Sequence, residues 1–228
     1  MKVFSLNVTI SLVVGMVFAS QNSQNSVSKL VRRSNDKDHP PFTNTYIMND
    51  KPDYSQGVLT IHYPNGALAY QFQKTYQDVR RGTSTTQVRD SSLQPVLFLN
   101  SQDDTCFKKS HFIEPNVTGA HNRVFKIDPR GLRSDEWTFS FIASWGEEIS
   151  YRYRRNYFNK GGKLFETRKG GKEVQMCLLE NQTRWESWLN PGRKGAAAFT
   201  LSCAATAAQV EAVTLMAMVL ARADVCGI

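Results

Sequence analysis

The sequence predicts a mainly β (α+β) domain, a closed antiparallel β-barrel built around a buried hydrophobic C-terminal helix. Three observations carry that expectation. From Gly57 onward, short runs of alternating apolar and polar residues recur between Gly, Asn and Pro turns, the spacing of a sandwich or barrel. Asn65-Gly66 separates two such runs, a strong hairpin signal. Near the C-terminus, Ala212 to Ala221 is apolar at every position except Thr214. A helix that is apolar all round must be buried. This one is shorter than the roughly 20 residues a bilayer span requires, so strands are expected to enclose it.

Residues 1–19 read as a secretory signal peptide. Lys2 provides a basic start, an apolar run reaches Phe18, and Val17 and Ala19 place small residues before a cut at Ser20. Residues 20–56 are rich in Ser, Asn and Gln, then in Lys, Arg, Asp and Pro. They read as a disordered polar arm, since such composition cannot bury enough apolar surface to offset chain entropy. The barrel domain is then expected over residues 57–228.

Within that domain each element has its own warrant. Leu59, Ile61 and Tyr63 alternate with polar neighbours, as do Leu68, Tyr70 and Phe72 after the Asn-Gly turn. Val96 to Leu99 is continuously apolar, as in a strand covered on both sides. Further strands are expected at Thr86–Arg89, Val124–Ile127, Trp137–Ile142, Ile149–Phe158, Lys163–Arg168, Glu173–Leu179 and Ala198–Cys203. Asn159-Lys160-Gly161-Gly162 and Lys169-Gly170-Gly171-Lys172 supply turns between the later ones. Residues 205–225 hold no glycine or proline and abundant alanine, the best helix former. Gly227 is expected to mark the helix stop. The run from Tyr70 to Leu99 is echoed by the run from Tyr151 to Leu179. In each, an aromatic-x-aromatic strand leads through a glycine turn and a polar strand to an apolar one.

These segments, Gly57–Leu99, Trp137–Leu179 and the helix Gln209–Asp224, together resemble the tubby C-terminal-like superfamily. That group includes tubby proteins, plant LURP-one-related proteins and phospholipid scramblases. The resemblance implies about twelve strands around a central hydrophobic helix. It also implies binding of lipid head groups through basic surface residues. The chain looks like a small secreted member, of the kind fungi make.

Composition narrows the chemistry. The formal charge is +8, from 28 basic and 20 acidic residues. Losing Lys2 with the signal leaves +7. Residues 152–172 alone carry eight basic residues against Glu166, which matches the whole excess. Arg152, Arg154, Arg155, Lys160, Lys163, Lys169 and Lys172 are the candidate ligand contacts. An anionic membrane surface or a polyanion is the expected partner. Tyr151 and Tyr153 share one strand face and Arg152 and Arg154 the other. That parity separates charge from stacking and makes nucleic acid an unlikely ligand.

Other chemistry is thinly represented. Neither a GxSxG elbow nor an HExxH zinc motif is present, and no metal or cofactor is expected. His111 and Glu114 are the alternative, an acid–base pair for a secreted hydrolase or nuclease. A structural or interaction protein with no small ligand is the third reading. Cys106, Cys177, Cys203 and Cys226 admit three pairings, and secretion favours bridges over thiols. Asn116 and Asn181 head glycosylation sequons. The mature chain is expected to be extracellular, monomeric and without a transmembrane segment.

Overall fold

The computed structural model describes residues 39–50, 57–106, 108–115, 122–128, 136–143, 146–156, 160–168, 170–190, 192 and 194–226. The signal peptide, the first part of the arm, Asn116, Lys169 and Gly227 therefore lie outside the described residues. Twelve strands and one helix follow in order. They are β1 (Phe42–Asn49), β2 (Leu59–His62), β3 (Leu68–Asp78), β4 (Thr83–Asp90), β5 (Pro95–Ser101), β6 (Ser110–Ile113), β7 (Val124–Asp128), β8 (Glu136–Ile142), β9 (Glu148–Arg155), β10 (Gly162–Thr167), β11 (Glu173–Arg184), β12 (Ala196–Ala204) and α1 (Gln209–Cys226). Each strand from β2 to β12 pairs with its sequence neighbours. β1 closes the barrel between β12 and β2. Every pairing is antiparallel.

Period-2 alternation decides which side chains enter the lumen. Phe112, Phe125, Phe139 and Tyr151 stand opposite one another on β6, β7, β8 and β9. The last three rings pack in sequence, 5.0 Å between Phe125 and Phe139 and 4.6 Å between Phe139 and Tyr151. The next inward row runs from Ser110 through Ile127, Trp137, Tyr153 and Leu164 to Cys177 and Cys203. α1 fills what remains. Every residue from Glu211 to Ala223 is buried, and Ala212, Ala217 and Ala221 keep the helix slim enough for the lumen. Each Leu, Val or Met it buries contributes roughly 1.5–3 kcal/mol.

The four cysteines form two bridges. Cys177–Cys203 spans β11 and β12. Cys106–Cys226 ties the last turn of α1 to the loop after β5.

Three expectations need correcting. Val96–Leu99, expected to be covered on both sides, is covered on one side only, with Leu97 and Leu99 buried and Phe98 39% exposed. The barrel begins at Phe42, inside the segment read as a disordered arm. β1 is integral, with seven register partners on β12 and Tyr46, Ile47 and Met48 buried. Its burial is continuous rather than alternating because both faces are covered. Tyr46 and Met48 join the interior cluster. Ile47 stands opposite His62, whose ring packs 4.8 Å from that of Trp188 in the chain after β11. Trp188 also donates to the Pro64 carbonyl at 3.1 Å and leaves no room for a side chain at Gly66. The third correction concerns the helix, which starts at Gln209 rather than 205. The Gln209 side chain donates to the Ala204 and Ala207 carbonyls at 2.8 and 2.9 Å, holding the preceding residues in a turn. β6 is a further strand that periodicity did not reveal, because its buried Ser110 is polar and its exposed Ile113 apolar, which hides the alternation.

Candidate functional site

The basic hairpin is formed by β9 and β10. Its parity is as expected, with Tyr151 and Tyr153 buried and Arg152 and Arg154 exposed on the outside. Both tyrosine hydroxyls are anchored, Tyr151 donating to Glu166 at 3.0 Å and Tyr153 to the Lys160 carbonyl at 3.1 Å. Burial pushes both phenols well above their ordinary range, with the Glu166 carboxylate adding to the effect at Tyr151.

The outward arginines are engaged with acids. Arg152 Nε lies 3.3 Å from Glu136 and its Nη1 3.4 Å from Glu173. Arg154 pairs with Glu173 and lies 4.8 Å from the Phe165 ring centre. Lys163 stands beside Arg154 across the strands. Arg155 is half-buried at the strand end, and Lys160 is half-buried in the β9–β10 turn. Lys172 is exposed at the other end of β10, where Arg168 N–H donates to its carbonyl at 2.9 Å. A six-residue strand spans roughly 20 Å, so the hairpin bases do not converge on one point.

Register brings a different set together. On the outer face, His111, Lys126, Thr138 and Arg152 stand opposite one another across β6, β7, β8 and β9. The adjacent outer row is Asp128, Glu136, Arg154 and Lys163. Between them opens a cleft of about 190 Å³, lined by Lys109, His111, Lys126, Ile127, Asp128, Glu136 and Thr138. Lys109 Nζ lies 3.3 Å from Asp128. Lys126 is exposed. The face therefore offers a hydroxyl flanked by two cations, with carboxylates on the next row. Sequence reasoning missed Lys109, Lys126 and Thr138. They lie on three segments that only the register aligns.

The alternative acid–base pair is not assembled. His111 lines the cleft, whereas Glu114 binds Arg123 at 2.9 Å. Asp104 is buried against Lys74, Ser84 and Arg222. Among the described residues no cluster of His, Cys, Asp and Glu could hold a metal ion. Trp137 is core. Trp185 is 73% exposed on the chain after β11. Asn181 is exposed on β11, its amide donating to Asp50 at 2.6 Å. No helix among the described residues is long and apolar enough to cross a membrane. No family model, curated protein or solved structure matches this chain.

Proposed function

We propose that the protein is a secreted, non-enzymatic binding module that takes an anionic ligand on the outer face of β6 to β10. The row His111, Lys126, Thr138 and Arg152 beside the cleft carries this reading. An anion seated over Thr138 meets a hydroxyl donor with a cation on each side. Closure of the barrel strengthens the case. Lysines commonly guard exposed strand edges, but every strand here has two neighbours, so edge protection does not account for the charge. Two disulfides suit an oxidising compartment. The resemblance to the tubby C-terminal-like superfamily favours lipid head groups, with a cell-surface polyanion as the other source of the same chemistry.

The test is co-sedimentation with vesicles of anionic phospholipid, with neutral vesicles and with a sulphated polysaccharide in parallel arms. Binding to one anionic arm that disappears by about 0.5 M salt, where screening is nearly complete, is the expected result. Salt-independent binding, or equal binding to neutral vesicles, would overturn the proposal.

A further inference from the structure

Lys74 of β3 points into the barrel, and its Nζ lies 2.5 Å from Asp104 Oδ2 in the loop after β5. The two side chains are only 7% and 3% exposed. Ser84 Oγ donates to the same Oδ2 at 2.9 Å, and Arg222 Nη1 lies 3.7 Å from Oδ1. The Tyr76 and Phe112 ring centres are 5.0 and 5.4 Å from Nζ. The loop is held in place by Asp104 N–H donating to Gly82 O at 2.9 Å and by Ser110 donating to Asp103 O at 2.7 Å.

We propose that Lys74 and Asp104 are a covalent modification site, closing an intramolecular isopeptide bond between β3 and the β5–β6 loop. This inference is independent of the proposed ligand face. The pair sits where an ion pair is at its least favourable. Burial removes water from both charges, and one carboxylate faces two cations. Burial, followed by Arg222, pushes the Lys74 ammonium below its ordinary range, against the opposing pull of Asp104. A dry environment favours the neutral amine of Lys74.

The step balances without any outside reagent. The Lys74 ammonium passes one proton to Asp104 Oδ2. The freed Nζ lone pair attacks Cγ, and the developing charge on Oδ1 faces Arg222, the kind of fixed cation that stabilises such an intermediate. The phenol of Tyr76, whose ring centre lies 5.0 Å from Nζ, is pushed up to about 12 by burial and by the Asp104 carboxylate, and so keeps its proton at neutral pH. The second Nζ proton then passes directly to Oδ2, with which Nζ is already in contact at 2.5 Å. The C–N bond forms, the C–Oδ2 bond breaks, and Oδ2 leaves as water. The ammonium and carboxylate become one amide and one water. Holding both groups in contact supplies the proximity that a bimolecular condensation lacks.

The test is the intact mass of the secreted full chain, deglycosylated and with its bridges reduced, followed by peptide mapping. The expected mass is one water lighter than the sequence between the observed ends. A branched peptide should join the Lys74 and Asp104 segments. Lys74→Arg, which keeps a cation but cannot close this amide, should regain the missing water. The full sequence mass with linear peptides overturns the proposal. So does a missing water that maps to an unbranched peptide or persists in Lys74→Arg.

Discussion

Arg123 Nε lies 2.6 Å from Glu211 Oε1, joining the start of β7 to the first turn of α1. The same guanidinium holds Glu114 through Nη1 at 2.9 Å. Glu211 is placed at the positive end of the helix dipole, yet its side chain is only 7% exposed. Arg123→Met would leave two largely buried carboxylates without their counterion. The expected cost is about 3–5 kcal/mol, the usual penalty for breaking one side of a buried pair. Removing Glu211 and Arg123 together should cost less than removing Arg123 alone. Urea unfolding of the single and double variants checks this. A loss under about 1 kcal/mol in Arg123→Met would show that the carboxylates are solvated after all.

The barrel was legible in the sequence wherever a strand is covered on one face only. Leu59–Ile61, Trp137–Phe139 and Tyr151–Tyr153 alternate as a lumen-facing strand must. β1 escaped because Ile47 is buried on the outer side while Tyr46 and Met48 are buried inside. The helix was the clearest element, since no aqueous surface tolerates its ten-residue apolar stretch. The candidate site was only half legible. Composition located Arg152 and Arg154, and parity turned them outward. Their neighbours Lys126 and Thr138 come from strands paired by register. Register across a barrel depends on shear, which local pattern does not encode.

The two disulfides should differ in their effect on stability. Cys106–Cys226 closes a separation of 120 residues and Cys177–Cys203 one of 26. In the loop-entropy view the longer closure contributes about 5 kcal/mol and the shorter about 3.5 kcal/mol. The Cys106→Ser/Cys226→Ser double variant is therefore expected to unfold at a lower urea concentration than Cys177→Ser/Cys203→Ser. The reverse order would show that packing between β11 and β12, rather than loop closure, governs the difference.

Alkaline pH should destabilise the fold. Tyr46, Tyr70, Tyr76, Tyr151 and Tyr153 all titrate above the ordinary 10.0, with burial as the first cause in each. A phenol raised in the folded state contributes stability that is fully present below its unfolded pKa. That contribution is lost as pH climbs through the window between the two values. For Tyr76 the window runs from 10.0 to about 12. Until the proposed amide closes, after which it no longer titrates, Lys74 acts in the opposite sense. Its folded value is lowered, so rising pH relieves a penalty until the unfolded lysine also deprotonates, at about 10.4. Five phenols against one ammonium give a net fall. The urea midpoint should be lower at pH 11 than at pH 9, with tyrosinate absorbance appearing together with unfolding. Ionisation of these phenols at pH 10 in a fully folded protein would contradict the burial argument.

The ligand face should respond to which charges are committed. Arg152 and Arg154 both lean on Glu173, so an incoming anion must compete with that carboxylate. Glu173→Gln frees Arg154, leaves Arg152 with Glu136 alone, and should tighten binding to the anionic probe. Lys126→Gln removes a cation of the row and should weaken it. Each change is expected to be about threefold, the scale of a partly exposed charge contact. Glu180→Gln alters net charge by the same amount as Glu173→Gln. Glu180 stands on β11 opposite Thr200 of β12, away from the row, and its removal should leave affinity unchanged. Equal tightening by Glu173→Gln and Glu180→Gln would reduce the effect to overall charge and remove the assignment of a site to β6–β10.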